Sequence, residues 1–293
     1  MARYLDPKTD LTFKKIFGDH PDLLISFLNA VMPFEKGRRI VTLEYLPSEL
    51  IPQQGKKLSI VDVRCVDNFD RQFIVEMQTE WTVEFMNRIY FNSCKAYVKP
   101  LLKGERYRQL NAVYTLVILN DVFDRVTELF YHHFKMVNVE NTVEVLKGAE
   151  IVIFEIPKFQ PEKFSSRKLA VLWLRFLKEV DESMKSLPPE MLANEYIRTA
   201  VELCEESAFT EEELAAYNGY WDVVRTEKAL MEKRREEGIE EGRKEGIEEG
   251  MEKGTEKVVL NCHKAKMPIE TISLVTNLTP EQITEILKRH ELI

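Results

Sequence analysis

The chain has 293 residues, 44% of them hydrophobic, which is enough for a sizeable buried core and ordinary for a soluble protein of one or two domains. Its 41 basic and 49 acidic residues leave a net charge of −8, which argues against non-specific nucleic-acid binding by the chain as a whole but not against a local site that holds a phosphate. No apolar run approaches the roughly 18–20 residues of a membrane span, the opening MARYLDPKTD lacks a signal-peptide core, and four widely spaced cysteines without a CxxC pair read as reduced thiols of a cytoplasmic protein.

The first expected element is a helix capped by Asp10, running through Phe13, Ile16 and Phe17 and ended by Gly18. A second helix covers 22–31, where Leu23, Leu24, Phe27, Leu28 and Val31 recur at helical spacing, and Pro33 stops it. Residues 39–46 read as a strand and 47–55 as a loop. The stretch 56–80, KKLSIVDVRCVDNFDRQFIVEMQTE, reads as a β-hairpin, two apolar runs around a polar break. Side chains alternate between strand faces. Val61, Val63 and Cys65 therefore share one face, as do Phe73, Val75 and Met77, while Asp62, Glu76 and Gln78 take the other. A three-residue loop from Asn68 to Asp70 sets Asp62 across from Glu76. Two carboxylates aimed at one point between apolar flanks repel each other unless a cation lies between them. Oxygen ligands alone suit Mg²⁺ or Mn²⁺ rather than zinc. The bland alternative is a polar row on an exposed edge hairpin.

A helix over 82–102 follows. Met86, Tyr90, Cys94, Tyr97 and Leu101 mark its expected buried side, and Glu84, Arg88, Asn92, Lys95 and Lys99 a polar stripe. The unbroken apolar run 112–119, AVYTLVIL, reads as a central strand covered on both faces. Strands over 127–137 and 150–156 come next. His132 and His133 point to opposite faces of theirs, so they share no metal.

The residues Asp10-Leu-Thr-Phe13-Lys14-Lys-Ile-Phe17-Gly18, then Asp62, Val75-Glu76-Met77-Gln78, Arg88-Ile-Tyr90 and Trp173, occur in an order that resembles the recombination-promoting nucleases and PD-(D/E)xK nuclease family transposases. The resemblance implies an α/β, restriction-endonuclease-like PD-(D/E)xK core, a mixed sheet flanked by helices in the order α-β-β-β-α-β, with a C-terminal helical extension. It also implies metal-dependent cleavage of DNA, with Asp62 and Glu76 holding Mg²⁺ (or Mn²⁺), the Met77 backbone carbonyl as a further ligand, and Gln78 orienting water. Asp10 is a candidate third acidic ligand, and Lys14 a candidate phosphate contact. Two departures stand out: Val61 replaces the Pro before the Asp, and Gln78 replaces the Lys. A positive group from the 82–102 helix, Arg88 or Lys95, is expected to supply the missing charge; the alternative is that this stripe faces solvent. The runner-up function is a degenerate nuclease fold serving as a DNA- or protein-binding oligomeric scaffold.

The organisation expected is a nuclease-like core over 1–160, a helical extension over 161–230, a repeat over 231–257 and a small module over 258–293. In the extension, helices are expected over 166–185, around 190–205, and from a capping box at Thr210 and Glu213. Glycines 238, 242, 246, 250 and 254 recur every fourth residue. At about 1 kcal/mol each relative to Ala they make a lone helix marginal. The tail is thus either a solvated linker or the seat of a homo-oligomer. The last module reads as two short helices resembling a helix-turn-helix. Glu281, Gln282 and Glu285 sit where a DNA-reading helix carries basic groups, which favours protein contact.

Overall fold

The computed structural model describes residues 3–50, 59–98, 110–164, 167–184 and 186–293. The chain forms two compact units, Met1–Tyr217 and Asn218–Ile293. In the first, helix α1 (Asp10–Phe17) is capped by Thr9, whose hydroxyl accepts the Thr12 N–H, so Asp10 is the first helical residue rather than the cap. Its carboxylate is thereby free to project, and it pairs with Lys14 one turn on at 2.7 Å. Gly18 ends the helix with its N–H on the Lys14 carbonyl, and an added Cβ there would meet that carbonyl oxygen at 2.6 Å. Helix α2 (Pro21–Val31) buries the apolar face expected of it.

Strand β1 (Leu43–Tyr45) is shorter than expected, and the presumed loop after it contributes β2 (Glu49–Leu50), which pairs with β3 (Ser59–Ile60). The main hairpin is β4 (Val63–Asp67) and β5 (Gln72–Gln78), in the register Val63↔Val75 and Cys65↔Phe73. Its turn closes on Asp67 N–H to the Arg71 carbonyl, with Asp70 in the left-handed region at φ 57°. That is the three-residue loop with a final αL residue which hairpins favour. The Asp67 carboxylate accepts the Phe69 and Arg71 N–H groups, each at 3.0 Å, so the turn is fixed by its own sequence. Helix α3 (Val83–Val98) leads to β6 (Val113–Leu119), then β7 (Tyr131–Val137) and β8 (Val145–Glu155). The sheet order is β1-β4-β5-β6-β8-β7, with β5, β6 and β8 mutually parallel and the other pairs antiparallel. It is the expected mixed, restriction-endonuclease-like sheet, with β6 buried on both faces.

One face of the sheet, through Cys65, Phe73, Val75, Leu116 and Val152, joins a core with α1, α2 and the later helices α4 (Lys168–Glu179), α5 (Pro189–Leu192) and α6 (Glu195–Glu202). Trp173 lies at its centre. Its ring centroid is 5.5 Å from those of Phe17 and Phe27, and its indole N–H donates to Ser26 Oγ at 3.2 Å. The helix expected around 190–205 is split because Asn194 caps α6 by accepting the Ile197 N–H. Val61 departs from expectation. It lies just before β4 begins and joins Ile74 and Ala96 in a cluster apart from the one that holds Val63 and Cys65.

Helix α3 covers the opposite face, turned by one residue from the expected side. Phe85, Ile89, Asn92, Ser93 and Ala96 are buried, whereas Tyr90 is 53% exposed. Two adjacent apolar stripes run along this helix, and periodicity alone does not choose between them. The choice is made by β6: Ser93 Oγ and Thr115 Oγ1 lie 2.6 Å apart in a buried hydrogen bond. Lys99 and Leu101 lie outside the described residues.

Helix α7 (Glu211–Lys264) opens on the expected Thr210–Glu213 capping box. From 218 onward it belongs to the second unit, and the glycine repeat lies within it with every glycine exposed. Helices α8 (Ile269–Thr276) and α9 (Pro280–Arg289) close a small core of Val259, Ile272, Ile283 and Leu287. Asn277 caps α8 in the left-handed conformation, and a Thr279–Gln282 capping box starts α9. Val275, expected in that core, is exposed. Among the described residues no helix is long and apolar enough to cross a membrane.

Candidate active site

The hairpin register, continued one step past Val63↔Val75, sets Asp62 opposite Glu76. Asp62 bridges the strands: its Oδ2 accepts the Met77 N–H at 2.7 Å. Glu76 is only 5% exposed, under α3, where the Asn92 side chain hydrogen-bonds its carboxylate. Asn92, itself 1% exposed, was not singled out by sequence reasoning, although it shares a stripe with Arg88 and Lys95. Asn92 and Ser93 are the two polar residues on the buried side of this helix.

Burial dominates the electrostatics. It pushes the Glu76 carboxyl up to about 8, the nearby Asp62 adds to the rise, and Arg88, the Asn92 hydrogen bond and Lys14 oppose it. Burial likewise raises Asp62; the Met77 N–H lowers it, Asp10 raises it further, and Lys14 and Arg88 lower it. Two carboxyl groups thus share one desolvated place, and the neighbouring cations are engaged with other partners. Lys14 holds Asp10, and the Arg88 guanidinium donates to Gln78 Oε1 at 3.0 Å.

The structure therefore gathers Asp10 and Lys14 from α1, Asp62, Glu76, Met77 and Gln78 from the hairpin, and Arg88 from α3. It does not bring Lys95 to them, because that ammonium donates to the Leu50 carbonyl. The Gln78 amide is held at both ends, its Nε2 donating to the Glu80 carbonyl at 3.0 Å. The loop after β6 steadies this corner: Asn120 N–H donates to the Gln78 carbonyl and Trp81 N–H to Asp121 Oδ2, both at 2.8 Å. His132 and His133 go to different partners, Glu155 and Glu150.

Asp62 and Glu76 offer only oxygen donors, which fits a hard divalent cation. Among the described residues no three His, Cys, Asp or Glu side chains gather as metal ligands. A cleft of about 640 Å³ lies elsewhere, lined by Met86, Tyr90, Tyr97, Phe134, Met136 and Leu146. It is mostly apolar, with Asn87 and Lys135 among its lining residues.

No curated protein and no solved structure matches the chain. The family model of the PD-(D/E)XK nuclease family transposases matches residues 7–233, a span that takes in the whole sheet, α1 and every residue of the site. The chain belongs to that family of nuclease-type proteins.

Proposed function

We propose that this protein is a cytoplasmic, Mg²⁺- or Mn²⁺-dependent DNA endonuclease of the recombination-promoting nuclease type, with Asp62 and Glu76 as its centre. The observation that carries the reading is the buried pair itself. A protein gains nothing in stability from two desolvated carboxylates side by side, and their convergence is understandable as a cation site. Asp62, Glu76 and the Met77 carbonyl would hold the metal. When bound, it supplies Lewis acidity toward a phosphodiester oxygen and toward water.

The chain's own residues do the rest. The Met77 N–H and the Asn92 amide hold the two carboxylates in place. Gln78 orients water, and Arg88, bonded to Gln78, brings positive charge to the position where the wider family carries a Lys. That charge stabilises the oxyanion growing on the phosphate. Lys14, with Asp10 beside it, contacts the flanking phosphate. The glycine-rich part of α7 associates copies of the chain.

Supercoiled plasmid incubated with pure protein and Mg²⁺, Mn²⁺ or EDTA tests the reading. Nicking that requires metal is the expected result. Binding without nicking in every metal would instead make the protein a scaffold on a nuclease fold.

A further inference from the structure

Between the C-terminal end of α2 and the start of α4 lies a polar cleft of about 510 Å³. Its lining includes four cations, Lys36, Arg39, Arg167 and Lys168, against one acid, Glu35, in a chain whose net charge is −8. All four are exposed, and the ion pairs among the described residues engage none of them. Other surface cations, such as Arg175 and Lys253, do lie against carboxylates. Four that converge without one leave an uncompensated field.

Their scaffold is fixed. The Asn29 side chain donates to the Ile40 carbonyl at 2.8 Å and accepts the Ile40 N–H at 2.9 Å, which holds the segment carrying Lys36 and Arg39 against α2. The Arg167 guanidinium reaches the Val31 carbonyl and lies over the Phe164 ring. Lys168 opens α4, so the positive end of that helix adds to the same field.

We propose that this cleft is a second contact for nucleic acid, gripping the phosphate backbone away from the cleavage centre. It rests on the nuclease reading for the identity of the polyanion. The Val41 N–H donates to Asn68 Oδ1, so the cleft adjoins the turn end of the main hairpin, while Asp62 and Glu76 lie at the open end. From Asn68 back to Asp62 is roughly 20 Å along the strand, so the two contacts are separated by at least about six base pairs of duplex. Substrate held at the centre reaches the cleft only if it extends that far. Phosphate contacts set position and register without reading bases, so the cleft contributes affinity rather than sequence choice.

The test uses full-length protein in EDTA, with the anisotropy of a labelled duplex of about thirty base pairs followed from about 50 to 200 mM salt. Arg39→Gln/Lys168→Gln should lower the slope of log K against log salt by about two, equally for unrelated sequences. Glu35→Gln should tighten binding. With Mg²⁺ the double variant should raise KM for long DNA and leave kcat unchanged. On duplexes of about six base pairs or fewer its defect should vanish. An unchanged salt slope in the double variant, or an equal loss on short and long duplexes, overturns the inference while leaving the cleavage centre standing. Wild-type protein that neither binds nor cuts any duplex overturns both.

Discussion

Replacing Glu76 by Gln in the metal-free protein should make it more stable. The carboxyl is raised from its ordinary 4.5 to about 8 by burial and by Asp62. Between those two values the unfolded chain has released this proton and the folded chain still holds it, so stability falls as pH rises through the window and is flat on either side. At about 1.4 kcal/mol per unit, the penalty is on the order of 3 kcal/mol at pH 7 and about 5 kcal/mol above pH 8. Gln keeps the shape and a hydrogen-bonding partner for Asn92 but carries no proton to lose, so the variant should lack that dependence. Urea denaturation in EDTA at pH 5, 7 and 9 measures the difference. The variant should exceed wild type little at pH 5 and by the amounts above at pH 7 and 9. Equal stabilities at all three values, or a wild type that grows more stable with pH relative to the variant, would refute the burial argument.

Mg²⁺ should raise the melting temperature of wild type and leave that of Asp62→Asn/Glu76→Gln unchanged, as thermal-shift titration will show; an equal shift in both places the metal elsewhere. Arg88→Ala should lower turnover about 10²–10³-fold in steady-state cleavage, the scale of one lost oxyanion donor. Lys95→Ala should cost much less, because its ammonium serves the Leu50 carbonyl. Gln78→Lys should keep or raise activity; a variant that binds DNA and metal but cuts nothing would contradict the role given to this corner. Truncation after Lys233 should leave a folded first unit that associates less than the full chain by sedimentation velocity, and equal masses would reduce the tail to a spacer.

The hairpin could be read from sequence because period-two alternation and a polar turn act locally. Asp67 caps its own turn, so the register that aligns Asp62 with Glu76 needs no distant contact. Asp10 was misplaced by one residue because Thr9 and Asp10 both suit a cap, and only the Thr9–Thr12 contact decides between them. The face of α3 was misjudged because its two apolar stripes differ by one residue, and the choice is made across space by Thr115. That error concealed Asn92, a buried polar residue whose side chain hydrogen-bonds the Glu76 carboxylate. Arg88 and Lys95 looked equivalent on a helical stripe; what separates them is the β2 carbonyl of Leu50, part of a strand hidden in an apparent loop. The basic cleft was illegible for the same reason, since Lys36 and Arg39 lie more than a hundred residues from Arg167 and Lys168.

The central claim is that the Asp62–Glu76 pair is the cleaving centre. Wild type, Asp62→Asn and Glu76→Gln, purified side by side and incubated with supercoiled plasmid and Mg²⁺, test it most directly. The account predicts nicking by wild type alone, with both variants folded and binding DNA. Nicking by either variant at the wild-type rate would contradict it.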